Sequence, residues 1–168
     1  DFPEKWERIS VLLKKKAVDT TVFVYSDVMY LLTYLLNPGT ERVTPAAYRM
    51  NWLDGVPELE PIAWENPNGL ECRGAGPLFQ AAENLIRPAQ QNEAQLYGNA
   101  VLFYAAKPKW DAYREEKIGR LSPEQVKVKN VWCDGLHTYT ISEKFEAIDI
   151  RCREFELGKV IRVLRTKL

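Results

Sequence analysis

Short runs of β-branched and aromatic residues, each closed by a tight turn, recur along this chain and constrain its fold more than any other feature. Thr20-Thr-Val-Phe-Val-Tyr25 and Val28-Met-Tyr-Leu-Leu-Thr-Tyr-Leu35 flank Ser26-Asp27, and Leu78-Phe-Gln-Ala81 and Asn84-Leu-Ile-Arg87 flank Ala82-Glu83. Leu136-His-Thr-Tyr-Thr-Ile141 and Phe145-Glu-Ala-Ile-Asp-Ile150 flank a turn at 142–144. Branched and aromatic side chains pack well on a pleated surface, so the three pairs read as hairpins. Asn99-Ala-Val-Leu-Phe-Tyr-Ala-Ala106 is a further strong strand signal, and residues 42–52, 110–117, 126–131 and 160–164 are weaker ones. Residues 9–13 fit a short helix or an edge strand, and residues 54–76, rich in Pro, Gly and Asn, read as a long surface loop. Short strands, tight turns and few helices predict an antiparallel all-β fold.

The 168 residues suit one domain, and a hydrophobic content of 46% supplies a core. Twenty-three Lys and Arg balance 23 Asp and Glu, so the chain carries no field that would draw in nucleic acid or anionic lipid. The longest apolar run, residues 28–36, falls well short of the roughly 20 residues of a membrane-spanning helix. No basic-then-apolar leader follows Asp1, and that start points to processing or to a piece of a longer protein.

Cys72, Cys133 and Cys152 are widely spaced and permit at most one internal disulfide. The expectation is reduced, mostly buried cysteines in a reducing compartment, with the cytoplasm favoured. Phosphate loops, serine-hydrolase elbows and zinc-protease motifs do not occur, so neither cofactor nor metal is expected.

What stands out chemically is a set of polar residues at strand starts: Asp19, Arg73, Arg87, Gln90, Tyr97 and His137. Arg and Gln give directed hydrogen bonds to hydroxyls or anionic substituents, and tyrosine stacks on a pyranose face. Each also has a plain structural reading: a turn hydrogen bond for Asp19, loop anchoring for the arginines, a strand-entry turn for Tyr97-Gly98, packing for His137. The hairpins begin near 19, 77 and 136, a spacing of roughly 60 residues that suits β-propeller blades with long loops.

The ordered motifs Val18-Asp-Thr-Thr-Val-Phe23, Arg73-Gly-Ala-Gly76, Arg87-Pro-Ala-Gln90, Tyr97-Gly98, Tyr113-Arg-Glu115 and Asp134-Gly-Leu-His-Thr138 resemble the propeller domain of glucosamine inositolphosphorylceramide transferases and their bacterial relatives. That domain is similar to the five-bladed fold of glycoside hydrolase family 43. The resemblance implies that residues 1–168 form about three blades of a five-bladed β-propeller, the remaining blades or a glycosyltransferase domain being partners. It implies a central pocket for a sugar or glycoconjugate lined by Arg73, Arg87, Gln90, Tyr97 and His137, and it places Asp19 and Glu115 where a hydrolase would carry catalytic carboxylates. Only Asp19 has clear motif support, and Glu71, Glu83 and Glu93 are further candidates for the second carboxylate. Glycoside hydrolysis needs a matched pair, so a sugar-binding module associated with glycosyl transfer is favoured over a family 43-like glycosidase and over an interaction domain with a vestigial pocket. Of the five tryptophans, Trp52 and Trp64 are the candidate sugar platforms. Arg87→Ala is expected to abolish sugar binding with the fold intact.

Overall fold

The computed structural model describes residues 4–5, 10–40, 42–65, 73–93, 96–129 and 131–153. These residues are all-β apart from one short 3-10 turn, Pro123–Gln125. Strands β1 (Ala17–Tyr25), β2 (Val28–Leu36), β3 (Val43–Leu53) and β4 (Val56–Glu65) follow one another as an antiparallel meander. A second meander is built from β5 (Phe79–Ala81), β6 (Asn84–Glu93), β7 (Leu96–Pro108) and β8 (Ala112–Leu121). A hairpin of β9 (Trp132–Ile141) and β10 (Glu146–Arg153) forms a separate two-stranded sheet.

Local chemistry explains the hairpins. Ser26 and Asp27 both have positive φ, 48° and 61°, the pair of conformations that matches the right-handed twist of flanking strands. Asp54 and Gly55, at 51° and 77°, repeat the device between β3 and β4.

That last strand corrects the expected surface loop at 54–76. Residues 56–65 alternate in exposure except at Glu60 and Pro61, both exposed, and pair with β3 from Ala47↔Ile62 to Leu53↔Val56. Pro57 and Pro61 conceal the strand in the sequence, yet both share parity with Ala63, whose N–H donates to Asp111 O at 3.2 Å on the side away from β3. The two missing donors therefore face the outer edge, where a strand tolerates proline. Of residues 126–131, expected as a weak strand, the described ones form only the bridge Val128↔Val131. Residues 10–13 are neither helix nor strand. Residue 9, Cys72 and the expected strand at 160–164 lie outside the described residues.

The two meanders join edge to edge through a short parallel pairing of Ala63, Trp64 and Glu65 with Ala112, Tyr113 and Arg114. One curled eight-stranded sheet results, a half-barrel in shape, in the order β1-β2-β3-β4-β8-β7-β6-β5. Its curl turns the meanders face to face. Phe23, Tyr30, Leu32 and Ala47 of the first pack with Leu85, Ala106 and Tyr113 of the second. A second core joins the second meander to the hairpin, with Ala75, Val101, Leu136 and Tyr139 at its centre and Phe79, Phe103, Ile148 and Ile150 against them. Three β units thus stack in chain order through two apolar layers.

Candidate functional site

A cleft opens where the three units approach one another, and its first wall comes from a defect in β1. Val18 stands opposite Tyr34 and Thr21 opposite Leu32, so Asp19 and Thr20 together face Thr33. This two-against-one arrangement is a β-bulge, which bends a strand and re-aims its side chains. Asp19 sits at φ 51°, in the left-handed region that Asp tolerates better than most residues. Thr33, fully buried, donates to Val18 O at 3.2 Å and lies 2.7 Å from Thr20 Oγ1, so the Thr20 hydroxyl is the donor between them.

The second wall is the segment 73–77, held against β6 by its backbone. Gln90 N donates to Arg73 O at 2.7 Å and Ala75 N to Pro88 O at 3.1 Å. The buried Gln90 side chain adds a clamp, its Nε2 donating to Gly74 O at 2.8 Å. Arg73 reaches across to β1, where Nε and Nη2 donate to the two oxygens of Asp19 at 2.5 and 3.1 Å. This bidentate pair, about one-quarter exposed on each side, ties the bulge to the second unit.

The third wall is β9. Tyr139 N donates to Ala75 O at 2.7 Å and docks the strand on the 73–77 segment. His137 and Thr138 precede it, with His137 Nδ1 at 3.0 Å from Thr138 Oγ1 and 3.4 Å from an Asp149 carboxylate oxygen on β10. The cleft so formed has a volume of about 450 Å³ and is lined by residues 19–22 and 74–77 together with Gln90, His137 and Thr138. Hydroxyl, amide, imidazole and carboxylate groups give it both donors and acceptors.

Arg87 and Glu115 lie elsewhere. They face each other in the interior between the meanders, with Nε–Oε2 and Nη2–Oε1 both 2.6 Å and side chains 3% and 0% exposed. Tyr34 Oη, 3.3 Å from Arg87 Nη1, completes the cluster, and the guanidinium lies 4.9 Å from the centre of the Tyr104 ring and 5.4 Å from that of Trp64. Burial opposes the guanidinium charge, but Tyr34 and Glu115 outweigh it and hold the pKa above the ordinary arginine value. Burial, followed by the charge of Glu115, pushes the neighbouring Tyr113 phenol well above its usual range. Both residues therefore belong to the core joining the meanders, and the carboxylates of Asp19 and Glu115 do not share a cavity.

Of the remaining candidates, Tyr97 places its backbone in β7 and its side chain lies outside the described residues. Trp64 packs its ring against Tyr34 and Tyr113 at 5.5 and 5.2 Å, a core position, whereas Trp52 is exposed near the end of β3. Among the described residues no group of three or more His, Cys, Asp and Glu side chains is placed to hold a metal ion. No helix among them is long and apolar enough to cross a membrane. Thr20, Thr21, Val22, Gly74, Ala75, Gly76, Pro77 and Thr138 complete the cleft without having been singled out; all but Pro77 lie inside the motifs Val18–Phe23, Arg73–Gly76 and Asp134–Thr138, so proximity to Asp19, Arg73 and His137 was their only signal. Comparison with known proteins returned no matching family model, curated protein or solved structure.

Proposed function

We propose that this chain is a carbohydrate-binding module of β-propeller type, associated with glycosyl transfer, and that the cleft between its three β units receives a sugar or a sugar phosphate. The observation that carries the reading is the convergence of Asp19, Gln90 and His137, one from each unit, on one cleft of about 450 Å³. A volume of that order suits a small polar ligand, and convergent directional groups supply orientation and specificity. The propeller reading rests on the packing of successive meanders through apolar faces, while the β4–β8 pairing that joins the first two into one sheet departs from the separate four-stranded sheets of propeller blades.

The glycosidase alternative is weaker. Hydrolysis at a glycosidic bond needs two carboxyl groups flanking it, whereas Asp19 is paired with Arg73 at the cleft and Glu115 with Arg87 in the core.

Titration calorimetry against monosaccharides, disaccharides and sugar phosphates tests the binding reading. Binding to the native chain is expected, weakened about twofold to tenfold by His137→Ala and by Thr138→Val, as for loss of a hydrogen bond worth about 0.5–1.5 kcal/mol. No binding across the panel, or binding unchanged in both variants, refutes the proposal.

A further inference from the structure

We propose that Cys133 and Cys152 are a redox pair that closes the β9–β10 hairpin with a cross-strand disulfide. The two residues are direct partners on the antiparallel ladder, and both thiols are free in this structure. Directly opposed residues point to the same face with Cα atoms roughly 4.5–5.5 Å apart, inside the range of roughly 4.4–6.8 Å that a disulfide spans. The strands need no change of register to bring the sulfurs together.

The surroundings hold that pairing in place. Gly135 opposes Arg151 and Cys133 opposes Cys152, so Asp134 is the extra residue of a bulge beside the pair. Arg151 grips this bulge, Nε donating to Asp134 Oδ1 and Nη2 to Asp134 O, both at 2.8 Å. Cys133 is half-buried against the core around Leu136, and its thiol donates to Gly135 O at 3.4 Å. Cys152 is exposed, which corrects the expectation of mostly buried cysteines.

This asymmetry sets the order of events with a disulfide oxidant such as oxidised glutathione. The Cys152 thiolate attacks one glutathione sulfur, the S–S bond of glutathione breaks, and one glutathione thiolate leaves. The Cys133 thiolate then attacks Cys152 Sγ and expels the second glutathione. Two protein thiols lose two protons and two electrons, and one oxidised glutathione becomes two reduced ones. Since β9 carries His137 and Thr138 into the cleft and β10 carries Asp149 behind His137, closure restrains that wall of the cleft.

The test treats the native chain with a glutathione redox series and maps its peptides by mass spectrometry without reduction. The expected product links Cys133 to Cys152 and leaves Cys72 as a thiol, and dithiothreitol reverses it. Closing the 133–152 loop is expected to raise the thermal midpoint by roughly 5 °C. Cys133→Ala is expected to stop the reaction at a glutathione adduct on Cys152. A linkage that includes Cys72, a lasting glutathione adduct on native Cys152, persistent free thiols at the oxidised end of the series, or no rise in the midpoint overturns the proposal.

Discussion

Arg87 and Glu115 exchange two charge-assisted hydrogen bonds in the interior, so each neutralises a charge that burial alone would expel. Breaking such a pair leaves the other ion uncompensated, at a cost of about 3–5 kcal/mol. Arg87→Ala is therefore expected to lower the unfolding free energy by that amount, measured by chemical denaturation, while Arg87→Met combined with Glu115→Leu recovers most of it. An Arg87→Ala protein of native stability would contradict the assignment. This outcome differs from the sequence expectation that the same change abolishes sugar binding and spares the fold. The chemistry of Arg87 was legible, but its partner was not: Glu115 lies 28 positions away, and only the pairing of β6, β7 and β8 brings the two together. Asp19 and Arg73, 54 positions apart, meet for the same kind of reason.

At the scale of the element, the 73–77 segment decides whether the cleft has a third wall. Gly76 adopts φ +143°, where a side chain is strained, and an added Cβ would come 2.2 Å from Tyr139 O. A contact with backbone that close forces β9 away from the segment. Gly76→Ala is expected to destabilise the protein by about 2 kcal/mol or more and to release the Tyr139 N to Ala75 O bond, visible as faster hydrogen exchange at the Tyr139 amide. Unchanged exchange there would show that β9 does not depend on the close approach. The hairpins β1–β2, β5–β6 and β9–β10 were legible because runs rich in branched and aromatic residues and turn dipeptides are local signals. β4 was not, because the tolerance of Pro57 and Pro61 depends on which edge of the strand is unpaired, and that follows from its neighbours.

At the scale of the whole molecule, β1 ends the eight-stranded sheet with Val22 and Val24 exposed, and no charged residue occurs between Thr20 and Tyr25. Proteins commonly protect such an edge with lysine or proline, and an apolar one favours pairing with another chain. Concentration-dependent association is expected in sedimentation velocity, reduced by Val24→Lys with little change in thermal midpoint; a native chain that stays monomeric at high concentration, or a variant that associates as strongly, would remove β1 as the contact. By itself the sequence determined the all-β character of the described residues and where the three clearest hairpins turn, because strand propensity and turn geometry act over a few neighbouring residues; the expected strand starts did not hold for Gln90 and His137, which lie mid-strand, or for Arg73, which lies outside the strands. Only the tertiary structure decided that Gln90 and His137 share a cleft with Asp19 while Arg87 and Glu115 close on each other in the core. Two positions two residues apart on one strand share a face whatever the fold, but what that face meets is set by strand order and by the curl of the sheet, and both arise from contacts between residues distant in the chain.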